Sequence, residues 1–218
     1  MSGSTPPSTS QTGLHRRLDE VVRRHLAFDW RQPVRGHSQL AFDGIRSRVE
    51  AADRLILDSG CGTGVSTLNL ARRFPEALVV GVDKSRARLA RAPGLPANAL
   101  LVRAELSDFW RLAQAAGWPV SRHFLLYPNP WPKPDHLQRR WHAHPVFPWL
   151  LRLGGRLELR TNFELYALEF KRALEISGVE RVEVVSLCVA EPLSPFERKY
   201  AQSDHKLYRL TCDLEEMT

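Results

Sequence analysis

The run Asp58-Ser59-Gly60-Cys61-Gly62-Thr63-Gly64 follows the apolar stretch Leu55–Leu57 and leads at once into a helical pattern. A strand that ends in spaced glycines and passes directly into a helix turns sharply and offers unpaired backbone N–H groups at the positive end of the helix. Such a junction belongs to a parallel sheet covered by helices on both faces, and the rest of the chain repeats the alternation. Short apolar runs at Leu55–Asp58, Ala77–Val82, Ala99–Arg103, His123–Tyr127, Gly155–Arg160, Val182–Val189 and Lys206–Cys212 predict seven strands. Helical periodicity or N-cap residues at Ser66–Phe74, Ser85–Ala92, Ser107–Ala116, Leu137–Leu153 and Phe163–Ser177 fill the gaps, with Gly117 and Gly178 as stops. No helix separates the last two strands, which predicts an antiparallel pair at one edge. The expected fold is α/β: a Rossmann-like, doubly wound, seven-stranded, mostly parallel sheet with an antiparallel edge strand.

The glycine loop implies a nucleotide-like ligand, and the acidic residues around it narrow the class. Asp83 ends the second strand 25 residues after Asp58, where it can accept both ribose hydroxyls, and Lys84 follows it. A carboxylate at Asp58 repels a pyrophosphate but favours the ammonium and sulfonium of S-adenosylmethionine. Gly60, Gly62 and Gly64 are the backbone positions of this candidate cofactor site. The pattern Asp-x-Gly-x-Gly-x-Gly resembles motif I of class I methyltransferases, and Glu105, just past the third strand, stands where such enzymes hold the adenine. A second reading of Glu105 is a cap on the helix that starts near Ser107.

At 218 residues the chain suits one well-buried domain. Residues 1–13 are almost entirely Ser, Thr, Pro and Gly and are expected to be a disordered tail; 14–218 are expected to form the domain, with 14–50 as an N-terminal helical region. The stripe Leu14, Leu18, Val21, Val22 predicts a helix from Leu14 to about His25, with Arg16, Arg17, Arg23 and Arg24 on its other face. Lys plus Arg is 31 against 24 for Asp plus Glu, a formal charge of +7 that favours a polyanionic partner, although Arg supplies 26 of the 31. No stretch reaches the roughly 18–20 apolar residues of a membrane span, and the start lacks a secretory pattern, so a cytoplasmic protein is expected. Cys61, Cys188 and Cys212 show no CxxC pairing and read as free thiols; His136, His142 and His144 lack the carboxylate or cysteine partners of a metal site. The oligomeric expectation is monomer or homodimer.

After the fourth strand comes Tyr127-Pro128-Asn129-Pro130-Trp131-Pro132-Lys133, then His136 and Arg139-Arg140. This stretch resembles the PDPW-x-K…H-x-x-RR segment of the bacterial tRNA (guanine-N7-)-methyltransferases. The likeness continues in order: Thr161-Asn162-Phe163-Glu164-Leu165-Tyr166-Ala167 is similar to that family's TD-x-E-x-YA, and Ser194-Pro195-Phe196-Glu197-Arg198 to its T-x-F-E-R. The resemblance implies a class I methyltransferase that uses S-adenosyl-L-methionine and methylates N7 of a guanosine in tRNA. It implies that Asp58, Asp83 and Glu105 bind the cofactor, that Asn129 faces the transferred methyl group as an orienting catalytic residue, and that Lys133, Asn162, Ser194, Phe196 and Glu197 hold the guanosine. Lys133, Arg139 and Arg140, with Arg198 and Lys199, are expected to form a phosphate-binding rim.

Two departures stand on the acceptor side. Asn129 and Asn162 replace the family's aspartates, so each offers one oxygen acceptor and one NH₂ donor where a carboxylate offers two acceptors to the N1–H and N2–H donors of guanine. Charge-assisted bonds are roughly twice as strong as neutral ones, so discrimination weakens. The alternatives this leaves are a methyltransferase of the same fold with another nucleobase or a small molecule as acceptor, and a non-catalytic RNA-binding relative.

Overall fold

The computed structural model describes residues 4–214. One sheet holds β1 (Leu55–Ser59), β2 (Leu78–Asp83), β3 (Ala99–Arg103), β4 (Val120–Leu126), β5 (Gly155–Thr161), β6 (Glu183–Ser186) and β7 (Tyr208–Leu214), in the order β3-β2-β1-β4-β5-β7-β6. From β3 through β5 all neighbours pair parallel, and β7 runs antiparallel to both β5 and β6. The last two strands do form the expected antiparallel pair at one edge, with β7 inside and β6 outermost.

Helices α1 (Leu18–Ala27), α2 (Gly36–Asp43), α3 (Arg46–Glu50), α4 (Val65–Arg73), α5 (Arg86–Leu89), α6 (Leu106–Ala115), α7 (Phe147–Arg152), α8 (Glu164–Ile176) and α9 (Pro195–Ala201) accompany the sheet. Every residue of β1 and β2 is buried, as continuous apolar strands between two helical layers must be. Alternation along β1 divides two cores. Leu55 and Leu57 join a large one with Trp110 of α6, Phe147 of α7 and Tyr166 and Phe170 of α8; Ile56 joins a smaller one with Leu70 and Ala71 of α4. Leu18, Val21 and Val22 of α1, with Phe42 and Val49, belong to the large core, so the N-terminal helical region packs on the sheet rather than standing apart. Among the described residues, no helix is long and apolar enough to cross a membrane.

Three local expectations differ from the structure. The single helix expected over Leu137–Leu153 is instead two 3-10 turns, Pro134–Arg139 and Trp141–Ala143, followed by α7. Arg140 and His144 are extended, as the residue before Pro145 must tend to be, and Pro148 sits in the first turn of α7, where its missing N–H costs nothing. The Ser-Pro-Phe-Glu-Arg motif, read only as a motif, opens a helix, with the Ser194 hydroxyl accepting the Glu197 N–H at 3.1 Å. The expected disordered tail begins outside the described residues, but residues 4–13 lie along the domain. The Thr9 hydroxyl donates to the Pro132 carbonyl at 2.6 Å and Gln11 Nε2 donates to Glu169 at 2.5 Å. Polar anchoring replaces the apolar burial that the composition cannot provide.

Gly155 opens β5 with φ +69, and a Cβ there would lie 2.3 Å from the Val120 carbonyl oxygen on β4. Gly155→Ala therefore combines an unfavourable backbone conformation with a clash against backbone that cannot rotate away. The expected cost is about 2–4 kcal/mol of unfolding free energy, measured by urea denaturation.

Candidate functional site

The sheet order reverses at β1, whose neighbours are β2 and β4, and a ligand crevice opens at the carboxyl ends of strands at such a point. A cleft of 280 Å³ lies there. One wall is Ser59 and Gly60 at the end of β1, Asp83 and Lys84 at the end of β2, and Glu105 and Leu106 after β3. The other is Leu125 to Asn129 at the end of β4, with Trp131, Arg139, Trp141 and Phe196.

The glycine loop is built for close approach. Gly60, Gly62 and Gly64 have φ of +83, +60 and +76, and a Cβ on Gly64 would press on Leu101 at 2.9 Å. Asp83 Oδ2 accepts the Gly62 N–H at 3.0 Å and Oδ1 accepts that of Ser85 at 2.8 Å, while Arg88 pairs with the same carboxylate at 3.0 Å. Lys84 stands 3.9 Å from Glu105 across the cleft rim. Asp58 lies behind the loop and does not line the cleft. Its Oδ2 accepts both the Ser66 and Thr67 hydroxyls of α4, at 2.6 and 2.7 Å, while the buried Oδ1 has no partner among the described residues. Desolvation pushes its carboxyl up to about 6 against those two hydrogen bonds. An orphaned carboxylate oxygen under a glycine cradle fits a cationic group on the ligand. Beneath Ser59, the Trp110 indole donates to its hydroxyl at 2.9 Å, and the hydroxyl lies 2.7 Å from Nε2 of buried His123. Burial lowers that histidine to about 3, so the ring is neutral.

The loop after β4 is strained and clamped. Tyr127 and Trp131 have φ of +52 and +44, conformations that cost free energy in non-glycine residues. Arg140, fully buried, donates from Nε to the Trp131 carbonyl at 3.2 Å and from a terminal nitrogen to that of Lys133 at 3.4 Å, and pairs with Glu169 of α8. The expected phosphate contact of Arg140 is thus corrected: its charge is spent inside the protein because the loop's carbonyls and Glu169 need a donor there. His142 also bonds Glu169, at 3.1 Å. Burial alone would raise Glu169, but the His142 and Arg140 partners outweigh it and hold the carboxyl down to about 2. Glu197 is likewise internal rather than facing a substrate. It accepts two bonds from Arg160, at 3.0 and 3.1 Å, one from the Tyr127 hydroxyl at 2.9 Å and one from the Leu193 N–H at 2.6 Å.

Of the anticipated residues, the cleft gathers Gly60, Asp83, Lys84, Glu105, Asn129, Arg139 and Phe196. Lys133 is exposed outside it, Ser194 caps α9, and Asn162 sits at the end of β5 with Nδ2 at 2.9 Å from His205 Nδ1. Arg139 lies over the Trp131 ring at 4.8 Å. Asn129 Oδ1 accepts the Trp131 N–H at 3.3 Å, which leaves its NH₂ for the cleft. Sequence reasoning missed Ser59, Arg88, Leu106, Tyr127 and Trp141 as cleft residues. Ser59 and Tyr127, each inside a quoted motif, carried a signal.

A strand order of 3-2-1-4-5-7-6 with a ligand cleft over a glycine loop defines a class I methyltransferase. The family described as "Putative methyltransferase" matches residues 52–210. The tRNA (guanine-N(7)-)-methyltransferase of Anaeromyxobacter dehalogenans is 32% identical over 74% of this chain and 86% of its own, and that of Stutzerimonas stutzeri is 29% identical over 95% and 92%. Among solved structures, an antibiotic-related methyltransferase superposes with a TM-score of 0.57 at 16% identity, covering 79% of this chain and 94% of that one. The 16S rRNA (adenine(1408)-N(1))-methyltransferase of Catenulisporales acidiphilia superposes with a TM-score of 0.55 at 18% identity, covering 79% and 91%. The chain belongs to the methyltransferase family that contains the tRNA (guanine-N(7)-)-methyltransferases, enzymes whose methyl donor is S-adenosyl-L-methionine.

Two outcomes follow. Glu169→Ala strands a buried guanidinium and is expected to cost about 3–5 kcal/mol in denaturant unfolding, whereas Arg139→Ala, exposed, is expected to cost under about 0.5. A cationic ligand prefers ionised Asp58, so S-adenosylmethionine affinity is expected to rise with pH up to about 6 and level off above it. Isothermal titration from pH 5 to 8 reads the slope, and Asp58→Asn should flatten it.

Proposed function

We propose that this methyltransferase transfers a methyl group to N7 of a guanosine in tRNA. The supporting observation is that Tyr127, Pro128, Asn129 and Trp131, from the loop that resembles the family's acceptor motif, line the wall opposite the glycine loop and the acidic ends of β2 and β3 in a single cleft. The relatives named for that activity align with 74% and 95% of the chain.

In this reading Asp83 takes the ribose hydroxyls, releasing Arg88 from one oxygen, and Glu105 takes the adenine amino group. Asp58 supplies negative potential through its free Oδ1 to the cationic end of the cofactor. When bound, S-adenosylmethionine supplies the methyl carbon, which N7 attacks with its in-plane lone pair as the carbon–sulfur bond breaks. N7 carries no proton, so no general base is required of the protein, and alignment within roughly 3–3.5 Å carries the rate. The clamped loop holds Asn129 for that task, its NH₂ available to the guanine O6 while its oxygen is tied to Trp131. Arg139 at the cleft and Lys133 outside it are available to phosphate, and Phe196, half exposed at the cleft, to stacking on a splayed base.

The test is transfer of labelled methyl from S-adenosylmethionine to unmodified bulk tRNA, with the labelled nucleoside identified. Label in 7-methylguanosine is the expected result; label in another nucleoside, or none despite cofactor binding, overturns the reading. Asn162→Asp should raise guanosine transfer severalfold, because a charged acceptor binds the base's N–H donors more strongly, whereas Asn129→Asp, which removes the donor to O6, should lower it.

A further inference from the structure

Asn162 departs from the family's aspartate, and the structure pairs it with a residue that determines what the amide presents. His205 Nε2 lies 2.7 Å from the carbonyl oxygen of Ser4. That oxygen can only accept, so at the shorter of its two contacts Nε2 carries the ring proton, and the Ser4 hydroxyl, 3.2 Å from the same nitrogen, accepts beside it. Nδ1, 2.9 Å from the Asn162 side-chain nitrogen, is then a bare acceptor. Only the NH₂ end of the amide can satisfy it; the amide oxygen there would set two lone pairs against each other, and a doubly protonated ring would set donor against donor. The ring cannot turn away. It is 9% exposed and stacks on Tyr200 at 5.0 Å with a 12° interplanar angle. Asn162 Oδ1 takes no hydrogen bond among the described residues.

We infer that His205 is a positioning residue that consumes the Asn162 NH₂ and leaves the amide oxygen as the group offered to the methyl acceptor. The inference rests on the reading of Asn162 as an acceptor-side residue. The amide then imitates one oxygen of the carboxylate it replaces: an acceptor for N1–H or N2–H of the guanine. Without His205 the amide is free both to turn over, which points a donor at donors, and to leave the rotamer that the 2.9 Å hydrogen bond holds. Specificity toward a donor-bearing base edge thus depends on a histidine 43 residues away.

The test is a double-mutant cycle on the full chain, read as kcat/KM for methyl transfer to unmodified tRNA, with the melting midpoint and S-adenosylmethionine affinity recorded for each variant. His205→Ala should lower kcat/KM about tenfold, the value of one well-made neutral hydrogen bond, with cofactor affinity unchanged. In the Asn162→Ala background no amide remains to orient, so the same change should cost less than about threefold. His205→Gln, whose amide oxygen can accept from Asn162, should restore most of the loss. An equal loss in both backgrounds overturns the inference, since that is the mark of a packing role. If the alanine variant does not fold, the ¹⁵N shifts of His205 in the unsubstituted protein decide: a proton on Nε2 is expected, and one on Nδ1 overturns the assignment. Failure of the parent reading is separately visible, because an unsubstituted enzyme that labels no guanosine removes the acceptor role before any variant is compared.

Discussion

The pairing of β1 with β2 on one side and β4 on the other is the constraint from which the remaining architecture follows. Right-handed crossovers that leave a strand in opposite directions cannot cover the same end of it, so the carboxyl ends of β1 and β4 stay open. Everything with chemistry in it arrives at that opening from a strand end: Ser59 and Gly60 from β1, Asp83 from β2, Glu105 from β3, Asn129 from β4. The apolar strands themselves carry no function; they fix where the polar ends stop.

Two buried ion pairs then hold the half of the cleft built on the β4 loop in place. Arg140–Glu169 ties the β4 loop to α8, and Arg160–Glu197 ties β5 to α9 through a carboxylate that also receives Tyr127. Buried pairs of this kind are weak sources of net stability, because desolvation offsets most of their attraction. Their value here lies in direction. Each guanidinium reaches several acceptors from one rigid plane, and a loop with two residues at positive φ stays where those acceptors are.

The fold was legible in the sequence because its signals are local: apolar runs of strand length, glycine turns and helix caps. The glycine-loop half of the cleft was legible for the same reason, since Gly60 and Asp83 stand at strand ends and Glu105 at the start of α6. The half built on the β4 loop was not. Arg140 and Glu197 stand in motifs that imply ligand contact, but whether a charged side chain points outward or inward depends on partners at remote positions, Glu169 and Arg160, that no spacing rule connects. The helix expected over Leu137–Leu153 failed where Pro145 and Pro148 outweighed an apolar pattern. Composition reports apolar burial and is blind to hydrogen bonds such as Thr9 to Pro132, by which residues 4–13 lie along the domain.

The contact between Ser4 and His205 spans 201 residues. A growing chain that leaves the ribosome N-terminus first can assemble β1 to β5 early, yet Ser4 must wait for almost the whole polypeptide before it meets its partner. Closing so long a loop is slow compared with forming the sheet's neighbouring pairs. The contact that fixes the ring beside Asn162 can therefore be made only when almost the whole chain is present.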